Sequence, residues 1–145
     1  MKREDKSLGA FIGILRNSNK LEKIVKKDVS HYQLNITEFS VMELLFHQGK
    51  QTTQTIKEKI LIASSSTTYV IDQLEKKNYV ERIVNPDDKR ITYVSLSEEG
   101  QELMTTIFPL HSKTISNCFA GLEEEELNQL IKILGKLSRT LDKQL

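Results

Sequence analysis

The sequence predicts a mainly α-helical chain with one small β-hairpin. Three observations carry this. Apolar residues recur at helical spacing over most of the length, most fully near the two ends. Residues 35–78 break into three short helical segments joined by tight links. Residues 79–96 alternate as two strands around Asn85-Pro86-Asp87-Asp88, a sequence rich in turn-forming side chains.

The totals set the frame. A chain of 145 residues, 38% apolar and 28% charged, fits one domain or a small module with appended helices. A net charge of +1 makes no case for nucleic acid by itself, but the charge is unevenly placed. Residues 1–30 carry eight basic and four acidic side chains, 50–95 eight and six, and 97–145 five and eight. This permits a local basic face. The single cysteine, Cys118, excludes an internal disulfide and fits a reducing compartment. No apolar run is long enough to span a bilayer, and the start MKREDKSLGAFIGIL lacks a signal-peptide cleavage pattern. A cytoplasmic protein without membrane contact is expected.

The first helix is expected over 5–30. Leu8, Phe11, Ile12, Leu15, Leu21, Ile24 and Val25 form its stripe, with an interruption at Asn17-Ser18-Asn19. The bland reading is a surface helix with a basic side; the sharper one is a helix that pairs with a second chain. Asn35-Ile36-Thr37-Glu38 is a capping box for a helix carrying Phe39, Met42, Leu44, Leu45 and Phe46, and Gly49 should end it. Thr52 caps a short helix with Ile56 and Ile60 turned inward. After a compact turn at Leu61 to Ala63, a helix from Ser64 buries Thr67, Val70, Ile71 and Leu74. Its other face presents Ser65, Ser66, Thr68, Tyr69 and Asp72. Lys76 and Lys77 complement its C-terminal dipole, and Asn78 suits a left-handed stop. Strands follow at Tyr79 to Val84 and Ile91 to Leu96, with a protruding tip at Asn85 to Arg90. Ser97 caps the next helix, which Pro109 should kink. Gly121 breaks the chain, and Glu123 to Glu126 lead a last helix with a wide stripe from Leu127 to Leu141. Two helices of helix-turn-helix size followed by a hairpin make a winged helix-turn-helix over 35–96. The helices of 5–30 and 97–145 then form a dimerisation region within a single-domain chain.

Enzyme chemistry finds no purchase. His31, His47 and His111 lack metal-ligand spacing, and no phosphate loop, nucleophile elbow or His-Glu-x-x-His occurs. No cofactor or metal is expected. A lone thiol such as Cys118, beside Phe119 on an apolar helix, is ordinarily a buried small hydrophobe, although it offers a redox reading. Nucleic-acid chemistry fares better. The hydroxyls of Ser64, Ser65, Ser66 and Thr68 suit base edges and phosphates, and Tyr69 adds a phenol. Lys89 and Arg90 suit phosphate or a narrow minor groove, with Asp88 placed to orient the guanidinium. Taken singly, the hydroxyl run is a helix start and the cations a solvated turn; the order of elements joins them.

NITEFSVMELLFHQG, SSSTTYVIDQLEKKNYVERI, NPDDKRITYVSLSEEGQEL and IFPLH resemble the MarR family of winged-helix transcription regulators, from about Leu8 to Leu141. Around LIASSSTTYVIDQLEKK the chain is most similar to the regulators of hydroquinone and quinone resistance in Gram-positive bacteria. The resemblance implies a homodimer with interleaved terminal helices that binds a pseudo-palindromic operator, usually as a repressor of a stress or detoxification operon. It implies major-groove contact by the helix from Ser64 and minor-groove contact by Arg90 held by Asp88. It also implies release by a small phenolic or quinone-type inducer, with Phe11, Leu15, Tyr32, Phe39, Phe46 and His111 as candidate walls, or by oxidation at Cys118. The chain departs from the family at Ala63 (usually Ser or Thr, so the cap shifts to Ser64), Tyr69 (often Arg) and Asn78 (commonly Gly). It lacks the N-terminal Cys of peroxide sensors and the ligand set of zinc sensors, for which only His47 and His111 are stray candidates. The alternative is a winged-helix protein-docking module that binds no DNA.

Overall fold

The computed structural model describes residues 1–60 and 66–145. It divides into two compact units, Met1–His111 and Ser112–Leu145. The first opens with α1 (Arg3–Ser30), which runs unbroken through Asn17-Ser18-Asn19. Each of these residues costs only a few tenths of a kcal/mol in a helix interior, about 0.5 relative to Ala, and propagation along a long helix absorbs it. Val29 is its one buried residue. The helix leaves through a left-handed Gln33 (φ 60°), and the Leu34 N–H returns to the Val29 carbonyl at 3.4 Å.

Asn35 then starts α2 (Ile36–Gln48) by the expected reciprocal cap. Asn35 Oδ1 accepts from the Glu38 N–H at 2.8 Å, and Glu38 Oε1 accepts from the Asn35 N–H at 2.9 Å. Gly49, at φ 74°, ends the helix where the sequence places its stop. Thr52 caps α3 (Thr53–Lys59), its hydroxyl accepting from the Thr55 N–H. Helix α4 (Thr67–Lys76) buries Thr67, Val70, Ile71 and Leu74, the predicted seam. It opens at Thr67 rather than Ser64, and its N-cap Ser66 makes no side-chain cap bond. Serines compete with the helix for local backbone groups, so a serine run is a weak marker of the first helical residue. The turn expected at Leu61 to Ala63, and Ser64 and Ser65 themselves, lie outside the described residues. Beyond Lys77, Asn78 takes the left-handed conformation (φ 65°). The Tyr79 N–H bonds the Leu74 carbonyl and the Asn78 N–H the Glu75 carbonyl, both at 3.0 Å, which completes a Schellman stop.

The sheet corrects the two-stranded expectation. Besides β2 (Val80–Val84) and β3 (Thr92–Leu96) it holds β1 (Gln51–Thr52), in the antiparallel order β1-β3-β2. Gln51 pairs with Val94 and Thr52 with Tyr93. Two residues are too short a segment for alternation to reveal. α5 (Glu98–Cys118) follows, capped by Ser97 Oγ accepting from the Gly100 N–H at 3.0 Å. A Cβ on Gly100 would meet the Tyr79 carbonyl oxygen at 2.1 Å, so this helix start requires glycine. Pro109 lies inside α5 without ending it. Met42, Ile56, Ile71, Leu74, Met104 and Ile107 are fully buried and, with Val80 and Val94, join α2, α3, α4, the sheet and the start of α5 in one core.

The second unit carries α6 (Glu124–Asp142). The Glu123 N–H donates to Glu126 Oε1 at 3.0 Å at its start. α6 buries none of its residues.

Candidate nucleic-acid interface

Helix α4 divides by face. The seam anchors it, and Ser66, Thr68 and Tyr69 stand exposed, Tyr69 to 59%. Asp72 shares that outer side but is occupied. Arg82 on β2 donates through Nη2 to Asp72 Oδ1 at 2.6 Å and through Nη1 to Glu75 Oε1 at 2.9 Å. The helix end is tied separately. Lys77 Nζ stands 2.7 Å from the buried Glu38 Oε2 and donates to the Gln33 carbonyl at 3.0 Å. Contact with Oε2 is electrostatic rather than a directed hydrogen bond. One cation thereby joins the end of α4 to the cap of α2.

The wing tip is built from its own side chains. Asn85 Oδ1 accepts from the Asp87 N–H at 2.9 Å, and the Asn85 N–H reaches the Ile91 carbonyl at 2.9 Å across the base of the loop. Arg90 then forks onto Asp88. Nε donates to Oδ1 and Nη2 to Oδ2, each at 3.0 Å, and the Arg90 N–H also reaches Oδ1 at 3.1 Å. The Arg90 side-chain bond, followed by its backbone bond, holds the Asp88 carboxyl below the usual carboxylate range, and Asp88 raises the Arg90 guanidinium in return. The Arg90 side chain is nonetheless 91% exposed. Lys89 is exposed beside it. A cation fixed in direction yet open to solvent is preorganised for an anionic partner.

Among the candidate pocket walls, the structure brings Phe39, Phe46 and His111 into one aromatic cluster, with Phe108 and His47 added. Phe39 and His111 have ring centroids 4.5 Å apart, as do His47 and Phe108. Buried His111 faces Asp28 Oδ2 at 2.9 Å through Nδ1 and Glu43 Oε2 at 3.6 Å through Nε2. Tyr32 is half-buried against the same core. Phe11 and Leu15 are exposed on α1 and stand apart. At 1.5 Å per residue along an unbroken helix, they are about 25 and 20 Å from Asp28. Cys118 is half-buried and its Sγ donates to the Thr114 carbonyl at 3.4 Å, one helical turn back.

Sequence reasoning missed the Arg82 fork, the Lys77–Glu38 tie and the carboxylates on His111. The acidic pair Asp72 and Glu75, three residues apart on one helix face, was the available signal for the first. Among the described residues, no group of three or more His, Cys, Asp or Glu side chains could hold a metal, and no helix is long and apolar enough to cross a membrane.

A seam-anchored helix with an exposed polar face, followed by a hairpin that presents a preorganised arginine, defines a DNA-binding transcription regulator of winged-helix type. The comparisons agree and narrow the class. This chain belongs to the MarR family, whose pattern matches residues 34–92. It is 39% identical to the HTH-type transcriptional regulator MhqR of Bacillus subtilis over 133 residues, covering 92% of both chains. With the HTH-type transcriptional regulator YkoM of the same organism it shares 40% identity over 110 residues, 76% of this chain and 71% of that one. A solved MarR-like transcription regulator from Bacillus cereus superposes with a TM-score of 0.78 at 25% identity, over 94% of this chain and 99% of that one.

Proposed function

We propose that this chain acts as a homodimeric repressor. Two copies of α4 enter successive major grooves of a pseudo-palindromic operator, and the two wings grip the flanking backbone or minor groove. The observation that carries this reading is the Asp88–Arg90 fork, in which two side-chain hydrogen bonds and one from the Arg90 backbone direct a side chain that is 91% exposed. Ser66, Thr68 and Tyr69, joined by Ser64 and Ser65 from the sequence, supply base and phosphate contacts, and Lys89 adds charge. The helices of 5–30 and 97–145 form the dimerisation region. Release follows binding of a flat phenolic or quinone-type inducer beside Phe39, Phe46 and His111, where rings and carboxylates lie together. The controlled operon is one of stress or detoxification.

Fluorescence anisotropy with a duplex selected from a random pool, beside scrambled duplexes, tests the reading. Arg90→Ala weakens every duplex, whereas Tyr69→Ala shifts preference among them. Affinity for the selected duplex falls with salt by about 0.9 log units per log salt for each phosphate neutralised. Unchanged affinity for every duplex on Arg90→Ala contradicts the wing assignment. Salt-insensitive binding of a protein and of no duplex favours a docking module. Quinone release that survives Cys118→Ser assigns the inducer to the aromatic cluster; its loss assigns sensing to the thiol.

A further inference from the structure

We infer that Arg82, whose guanidinium is held by two carboxylates of α4, is the positioning residue that sets the angle between α4 and the wing, and so decides whether helix and wing can engage one duplex together. This rests on the DNA-binding reading above.

The geometry begins with strand alternation. Val80, Arg82 and Val84 share one face of β2. Val80 is buried in the core on that face. Arg82, two residues further out, lies where the core ends, with its side chain 27% exposed. There its guanidinium spans Asp72 and Glu75, one carboxylate on each of two successive turns of α4. A planar fork with both arms held on a rigid helix fixes direction as well as distance, which a single point charge does not. On its other edge, the same residue is paired with Val94 of β3 in the ladder. Among the described residues, Arg82 is thus the outermost side chain of β2 that is hydrogen-bonded to α4 before the wing projects.

Beyond it the wing behaves as a lever. Three residue steps along the strand separate Arg82 from Asn85, about 10 Å, so a tilt of about 10° at Arg82 moves the start of the tip by about 2 Å. That exceeds the distance window of a hydrogen bond, about 0.5 Å wide. Arg90 is aimed within the tip by Asp88 and gains nothing from that aim if the tip as a whole is displaced. The acid pair is about half exposed, so the fork contributes little to stability. Its consequence is orientation.

A double-mutant cycle read by DNA binding separates orientation from stability. The probe is a fluorescein-labelled duplex recovered from a random pool by the wild-type protein, titrated at low salt. Two backgrounds release the fork with opposite changes of charge: Asp72→Asn with Glu75→Gln, and Arg82→Met. Removing acidic groups strengthens DNA binding by itself and removing a cation weakens it. The readout is therefore the penalty of Arg90→Ala within each background. In the wild type this penalty is about tenfold. In both backgrounds it shrinks below about threefold, because an unpositioned wing has little left to lose. Circular dichroism shows both backgrounds folded, and if Arg82→Met does not fold, the amide background decides. An undiminished penalty overturns the inference and leaves the DNA reading standing. A wild-type protein that binds the duplex equally well with and without Arg90 overturns both.

Discussion

Helices α4 and α6 carry the same kind of apolar stripe and meet opposite fates. In α4 the seam of Thr67, Val70, Ile71 and Leu74 is buried. In α6 the stripe is at least as wide, yet no residue is buried, and Ile131 (63%), Ile133, Leu134 and Leu141 stand exposed. Amphipathic spacing therefore states that a helix has a buried face, not which chain buries it. Each of these side chains offers about 1.5–3 kcal/mol on full burial. A face of that size left open is the mark of an interface. The first half of α1 repeats the pattern, with Leu8, Phe11, Ile12 and Leu15 exposed. One helix is completed by its own fold; in the proposed dimer a second copy completes the others.

The comparison breaks most visibly through α6. Ile131→Glu with Leu134→Glu leaves helix content by circular dichroism near wild type and lowers affinity for the selected duplex by about a hundredfold or more, because each copy then has only one half-site to hold. Next in size is the internal seam. Ile71→Ala removes a fully buried side chain and costs about 2–5 kcal/mol in a urea titration. Its effect is the same at every protein concentration, whereas that of Leu134→Ala grows on dilution. Lys77→Met comes third. It strips the partner from buried Glu38, and, discounted for the exposure of Lys77, costs about 1–2 kcal/mol in the same titration. Smallest is the wing. An NMR titration finds the Asp88 carboxyl below the usual carboxylate range, and Arg90→Ala returns it most of the way, since the Arg90 side chain is the larger cause. A depressed carboxyl keeps its ion pair above the ordinary carboxylate range and loses it as pH falls through the lowered value. Wing geometry is accordingly constant through neutral and mildly acidic pH.

What could be read from the chain, and what could not, follows from range. The Asn35–Glu38 cap, the Asn78 stop, the Ser97 cap and the Asp88–Arg90 fork each complete themselves within a few residues, so residue type and spacing specify them. Three-dimensional pairings leave no such trace. Lys77 reaches Gln33 across 44 positions and His111 reaches Asp28 across 83. Asp72 read as one more residue of the outward face of the helix, and only the fold shows that Arg82 claims it. Phe11 and Leu15 read as pocket walls because they are apolar and on α1, and the structure leaves both exposed in the first half of that helix. The α4 boundary slipped because serine is as much at home before a helix as at its start.

Sedimentation equilibrium of the purified chain at micromolar concentration tests the central claim most directly. The account predicts a particle of two 16.7 kDa chains, reduced to one by Ile131→Glu with Leu134→Glu. A wild-type particle of one chain that still binds the selected duplex with full affinity contradicts it.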